Sequence, residues 1–384
     1  MSALPQDMGA PAASPARPLR VIHFVTGGFS GATQVALDLV RAALDGGTQA
    51  PLLALRRKRQ TPLARVAQLQ REGVPVRLVP GWSHAATVWS LARLCRELEP
   101  DVLVCHGFSD HLWGRYAGLL AGVPVLVHVE HNSRERYTRW RLAQAHWLAR
   151  RTAAIVGCSE GVRRQLLALG FPAERTLAIS NGIRTAPFAD AELHPYAART
   201  PGIVMAARFA RQKDHPTLLR ALALLRQRGL CPPLLLAGQG SRRHLQTAQA
   251  LAQELGVQDQ VRFLGHCPDV PGLLMSHQIC VLSSHYEGMP LSLVEGMAAG
   301  CAVVGSAVPG IQELIEDGVT GRLVAHADAP ALADALEQLL RDPAAAAALA
   351  RRAREEVMHR YRLEDMTGAY ERLLLSLRPA APTR

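Results

Sequence analysis

The feature that most limits what this chain can fold into is its unbroken alternation of short apolar runs with helix-period stretches. Apolar, β-branched runs occur at 19–25, 51–55, 74–79, 102–105, 123–129, 153–157 and 176–179. A second series follows at 202–205, 233–237, 261–264, 279–282, 302–305 and 321–324. Between them lie amphipathic stretches such as 32–44, 89–98, 214–228 and 329–340. Strands without polar alternation are buried on both faces, and strand–helix repetition places helices over both faces of a parallel sheet. The expectation is an α/β chain of two doubly wound domains, with a ligand in the crevice at the strand C-termini. The 384 residues are enough for two domains of ordinary size.

The boundaries follow from composition. Residues 1–18 are rich in Ala and Pro and read as a disordered tail, without the basic and apolar regions of a signal peptide. A first domain is expected over 19–184, a linker over 185–200 around Pro187 and Pro195, and a second domain over 201–361. A last helix falls in 362–378. The uncharged apolar runs are all too short for a membrane span. Seven cysteines, none in a Cys-x-x-Cys pair, fit a reducing cytoplasm, and the scattered histidines form no zinc pattern.

Charge is unevenly placed. Residues 1–184 carry 23 Lys and Arg against 12 Asp and Glu, whereas 185–384 carry 20 of each. A basic half beside a neutral one points to an anionic partner, either a membrane surface or nucleic acid. Aromatic and basic residues are not interleaved as base-stacking surfaces are, so no nucleic acid is expected.

The chemistry concentrates in 287–295, Glu-Gly-Met-Pro-Leu-Ser-Leu-Val-Glu. Pro290 suits a first helical turn, Leu291, Leu293, Val294 and Met297 form an apolar face, and Gly300 ends the helix. Glu287 then lies in the loop facing the helix start. Glu295 lies about 8 Å further along, at roughly 1.5 Å per residue. The helix start between them offers free N–H groups and a positive dipole end, a ready phosphate site. A nucleotide sugar has the matching layout, with hydroxyls at both ends and phosphates between.

Arg208 and Lys213 follow the run ending at Met205. The chain has only two lysines, Lys58 and Lys213, among 43 basic residues, so Lys213 stands out where arginine is otherwise used. An ammonium places a point charge and a guanidinium forks two phosphate oxygens. Gly27 to Gln34 form a glycine-rich turn that lets backbone approach a phosphate or sugar; it has neither dinucleotide-binding nor P-loop spacing. His106 and His131 each follow a strand-like run, at the mouth of the first domain.

These motifs resemble the retaining GT-B glycosyltransferases of family 4, the glycosyl transferases group 1. The Glu-x7-Glu stretch is similar to that family's donor motif and Arg208-x4-Lys213 to its diphosphate clamp. Val261-Arg-Phe-Leu-Gly265, Ala298-Ala-Gly300, Pro309-Gly310 and Gly318-Val-Thr-Gly321 match in order and spacing. The resemblance implies a GT-B fold of two Rossmann-like domains, with the last helix crossing back to the first. It implies catalytic roles for Glu287, His131, Arg208 and Lys213. Donor contacts are implied for Arg208, Lys213, His266, Glu287, Gly288, Met289, Leu291, Ser292 and Glu295. Gly28, Ser30, Gly31 and His106 would form the acceptor or phosphate loop, although Thr33-Gln34 replaces the family's usual charged pair. Arg184 stands where the family usually has Asp.

The activity implied is retaining transfer of a sugar from a nucleotide-diphosphate donor to a glycan or glycolipid acceptor, in bacterial polysaccharide or lipopolysaccharide synthesis. No cofactor or metal is expected. The expected location is cytoplasmic, peripheral at an anionic inner leaflet. Two alternatives stay open: a nucleotide-sugar epimerase, for which Glu130 is the only attractive acid–base carboxylate, and a catalytically silent nucleotide-sugar-binding protein.

Overall fold

The computed structural model describes residues 17–59, 61–107, 110–133 and 137–379. It contains two parallel sheets. The first runs β1 (Leu19–Thr26), β2 (Gln49–Arg56), β3 (Val76–Val79), β4 (Val102–His106), β5 (Val125–Glu130), β6 (Ala154–Gly157) and β7 (Thr176–Ala178), in the order β3-β2-β1-β4-β5-β6-β7. The second runs β8 (Thr200–Ala206), β9 (Leu234–Ala237), β10 (Val261–Gly265), β11 (His277–Leu282), β12 (Ala302–Ser306) and β13 (Arg322–Val324), in the order β10-β9-β8-β11-β12-β13. Each order reverses direction once, between β1 and β4 and between β8 and β11. Those switch points are where a doubly wound sheet opens a crevice at its strand C-termini.

Prolines set the edges of several strands. The ladders of β3, β5 and β9 begin just after Pro75, Pro124 and Pro233, which lack the N–H needed to join, so these strands start later than apolarity suggests. Pro51 instead sits inside β2. Leu53, of the same parity, donates its N–H to Pro75 on the β3 side, and β2–β3 pairing begins only at Leu53. The missing donor of Pro51 therefore faces a side where no partner strand has yet begun.

Residues 186–198 form two 3-10 segments, Ala186–Leu193 and Tyr196–Ala198, and Thr200 opens β8. The helix Leu363–Ser376 packs Met366, Tyr370 and Leu374 against Leu19, Val21 and Leu39, so the end of the chain shares the core of the first sheet. Residues 1–16 of the expected tail lie outside the described residues. Its last part is anchored: the Arg17 guanidinium donates to both Asp101 oxygens at 2.9 and 2.7 Å. Among the described residues no helix is long and apolar enough to cross a membrane.

Candidate active site

The two sheets present their C-terminal edges to one cavity of about 430 Å³. The first domain supplies the turn after β1 (Phe29, Ser30, Gly31), the end of β4 (His106) and the residues after β5 (His131, Asn132). The second supplies Arg208, Gln212 and Lys213 after β8, and Glu287, Met289, Leu291 and Ser292 after β11.

The loop after β8 is held in place from across the sheet. Asp214 adopts φ 45°, turning the chain into the helix His215–Gln227. Ser283 Oγ donates to the Asp214 carbonyl at 3.1 Å, and His285 N donates to the Gln212 carbonyl at 2.9 Å. Gln212 Nε2 donates to the Tyr286 carbonyl at 2.8 Å and to Glu287 Oε2 at 3.2 Å. Lys213 Nζ lies 2.5 Å from Glu287 Oε1, with both side chains largely buried. The sequence assigns these two residues to different parts of a donor; the fold pairs them directly. The pair places one ammonium directly beside the Glu287 carboxylate. Arg208 is exposed, and among the described residues its guanidinium has no ion-pair partner.

Two helix starts open on the cavity. The helix Leu291–Ala298 is preceded by Pro290 and the helix Gly31–Gly46 by Ser30, and neither cap residue makes a side-chain cap bond. Their first N–H groups therefore lack intrahelical partners, and both positive ends face the same space. Lys58 also lines it. Both lysines of the chain thus stand at this cavity, and the rarity that marks Lys213 marks Lys58 equally.

A second cavity of about 390 Å³ adjoins the first and shares Arg208, Ser292 and Phe29 with it. His266 and Glu295 both line it, with Gly238, Cys267 and Val270. Burial raises the Glu295 carboxyl to about 7. Burial lowers the imidazole of His131 to about 4, so it is neutral at physiological pH. His106 lies deeper and is also held neutral by burial.

Two residues assigned to the site from sequence line neither cavity. Gly28 points to solvent while its neighbours Phe29, Ser30 and Gly31 face inward. Gly288 is one contact between the domains: its carbonyl accepts from Ser159 Oγ at 2.9 Å, and a Cβ there would meet the His131 carbonyl oxygen at 2.3 Å. Glu313 reaches across the same boundary and accepts from the N–H groups of Glu160 and Gly161 at 2.7 and 2.8 Å, capping a first-domain helix.

Glu130 is fully buried, and its Oε1 accepts from the backbone N–H groups of His131 and Asn132 at 2.8 and 3.2 Å. It shapes the turn that carries His131. Glu130 also lies near His111 and His128, a buried group of potential metal ligands. The two imidazoles stack at 4.0 Å with planes 19° apart, so their in-plane lone pairs run side by side instead of converging. The buried Arg115 guanidinium donates to His111 Nδ1 at 2.6 Å, which puts a cation beside the group already.

Comparison with known proteins agrees with this architecture. The chain matches the models for Glycosyltransferase Family 4 over residues 29–187 and for Glycosyl transferases group 1 over 194–356. It is 30% identical to a glycogen synthase of Mycobacterium tuberculosis over 73% of this chain and 70% of that one. It is 31% identical to the lipopolysaccharide core biosynthesis glycosyltransferase LpsE of Rhizobium meliloti, over 59% of this chain and 65% of that one. The structure of HepE from Anabaena in complex with UDP-glucose superposes with a TM-score of 0.79 at 21% identity, covering 93% of this chain and all of that one. With two matched family models and a shared two-sheet fold around one interdomain cleft, the chain belongs to the family 4, group 1 glycosyl transferases and is a GT-B glycosyltransferase.

Proposed function

We propose that the protein is a retaining glycosyltransferase that moves a sugar from a nucleotide-diphosphate donor to a hydroxyl of a glycan or glycolipid acceptor. The observation that carries the reading is the convergence of Arg208, Lys213 and the open helix start at Leu291 on the cavity that holds Glu287, with His131 opposite. The donor diphosphate fits the basic side, the transferred sugar fits between Glu287 and His131, and the nucleoside fits the adjoining cavity of His266 and Glu295. The neighbour HepE is described with UDP and UDP-glucose, which supports a nucleotide-diphosphate sugar as the donor class.

The chemistry follows from where charge develops. Breaking the bond between the anomeric carbon and the diphosphate oxygen leaves its electron pair on the phosphate. Arg208, Lys213 and the helix N–H groups stabilise that charge without reorganising, so no resident metal is required. The acceptor oxygen bonds to the anomeric carbon on the departing face, and its proton passes to the leaving phosphate. Glu287 orients the sugar hydroxyls and Glu295 accepts from the ribose. The committed backbone bonds of Glu130 weigh against the epimerase, which needs a free acid–base carboxylate there.

The acceptor side supports a lipid-linked glycan at an anionic inner leaflet. All five tryptophans lie in the basic first half, and Trp82, shortly after β3, and Trp140, at the start of the helix Arg139–Ala149, are 83% and 75% exposed. Exposed indoles beside arginines suit a membrane interface. Lys58 is placed to meet a phosphate of such an acceptor. The relatives that build lipopolysaccharide support surface polysaccharide or lipopolysaccharide synthesis as the setting.

A screen of UDP-, GDP-, ADP- and dTDP-sugars for slow hydrolysis, read by mass spectrometry, tests the reading; the anomer first released, read by proton NMR, tests retention. Hydrolysis of one donor with retained configuration is expected. Interconversion of sugars would favour the epimerase, and binding with no turnover on any acceptor would favour the silent protein.

A further inference from the structure

Three adjacent strands of the first sheet each carry one histidine toward the same line. His23 lies in β1, His106 ends β4, and His131 follows β5. His131 Nε2 is 3.0 Å from His106 Nδ1, and His106 Nε2 is 3.1 Å from His23 Nδ1. The ring centroids are 5.3 and 5.4 Å apart with planes at 19° and 34°. The stacked pair His111 and His128 sits at 4.0 Å. The three rings therefore run end to end, bonded through their edges. His106 and His23 are buried, and only His131 and His106 reach the cleft.

This geometry restricts the protons. A neutral imidazole carries one proton on its two nitrogens, and each N···N bond needs one proton. Three neutral rings joined Nδ1 to Nε2 throughout have only two fully bonded states. Either all three carry the proton on Nδ1, or all three carry it on Nε2. Burial holds the end rings neutral, lowering His23 and His131 each to about 4. The states differ at the inner end. His23 Nε2 is buried without a protein hydrogen-bond partner. With the protons on Nε2, an N–H there has no protein acceptor; with the protons on Nδ1, only a lone pair lacks a protein partner. An orphaned buried N–H is the rarer and costlier defect.

We propose that His23 and His106 are positioning residues that lock His131 as its Nδ1–H tautomer, making it a hydrogen-bond donor at the cleft. His131 Nδ1 is the one ring nitrogen at the cleft end that the chain does not use. The chain couples a buried side chain in β1 to the protonation pattern of a cleft residue two strands away. Only the ligand that His131 meets rests on the glycosyl-transfer reading; the tautomer does not.

The test is 15N NMR of the full chain labelled at histidine, without ligand, with His131 signals assigned by their loss in His131→Gln. The wild type should show His131 with a proton-bearing Nδ1 and a bare Nε2. His23→Leu should shift His131 to a mixture of tautomers. His23→Asn, whose amide N–H can stand where Nδ1–H stood, should restore the wild-type pattern. On whichever donor the screen finds, His23→Leu should lower kcat about tenfold, the worth of one hydrogen bond, with the donor KM unchanged and His23→Asn recovering most of it. A proton on His131 Nε2 in the wild type, or a His131 pattern unmoved by His23→Leu, overturns the proposal. A role for His23 in packing alone would change the melting temperature and leave the His131 pattern as it was. Failure of the donor-site reading shows separately, as turnover that survives loss of Glu287.

Discussion

Replacing Gly288 with alanine should slow transfer about a hundredfold while leaving both domains folded. The added Cβ would sit 2.3 Å from the His131 carbonyl oxygen, 2.7 Å from its carbon and 2.9 Å from Cys158 Sγ. Ordinary carbon contacts begin near 3.4 Å, so a gap of roughly 1 Å must open. The thiol can rotate away, but the His131 carbonyl is main chain at the end of β5 and cannot. Retreat of the Gly288 loop is blocked as well, because Gly310 packs so tightly behind it that a Cβ there would lie 2.1 Å from the Gly288 carbonyl oxygen. The displacement therefore falls on the separation of Glu287 from His131, and a 1 Å misplacement of reacting groups costs on the order of 10²-fold. Overpacking at one interdomain contact costs about 1–3 kcal/mol, a small part of what the large apolar core running across the boundary, from Ile155 and Cys158 to Val204 and Val281, supplies. Steady-state kinetics with the donor found in the screen reads the rate, and calorimetry with that donor's nucleoside diphosphate checks the second domain. Near-normal turnover with an unchanged affinity for that nucleoside diphosphate would refute the view that Gly288 sets the distance across the cleft.

Other consequences follow from the same geometry. Arg208→Ala and Lys213→Ala should each weaken donor binding by roughly 1.5–3 kcal/mol, about 10- to 150-fold, while EDTA leaves the rate unchanged; titration calorimetry and rates after chelation check both. Because Glu295 is raised to about 7, the folded state holds a proton between the usual carboxyl range and pH 7 that the unfolded chain has lost. Its burial cost therefore appears as pH rises toward 7, so stability falls, while donor affinity rises because the ribose hydroxyls need the carboxylate; Glu295→Gln should flatten both profiles. Vesicle flotation should show binding to anionic lipids at low salt that fades at high salt, since about 1 kcal/mol per cation is available within a Debye length of about 8 Å. Equal behaviour on neutral vesicles would remove the membrane from the account.

The fold was legible because its strands are buried on both faces and read as continuous apolar runs; the cavity-lining residues of 287–292 stand together in the sequence and could be read as one motif. Other features lay beyond the sequence for physical reasons. Strand starts moved where a proline lacked a donor, whereas Pro51 was tolerated because of where β3 begins, which is a matter of register. Lys213 and Glu287 pair across 74 residues, and no local pattern marks that contact. Gly288 was assigned to the donor from its place in a motif, but its small size serves the other domain. His23 looks like any residue in an apolar strand until β1, β4 and β5 are set side by side. Lys58 alone could have been found, since it is the other lysine in a chain that otherwise uses arginine.

Single-turnover transfer by Glu287→Gln tests the central claim most directly. The substitution keeps the shape of the side chain and an oxygen for Lys213, and removes the carboxylate charge proposed to meet the transferred sugar. A folded variant that still binds the donor's nucleoside diphosphate but has lost transfer is the expected result. Transfer near the wild-type rate would contradict the assignment of this cleft as the donor site.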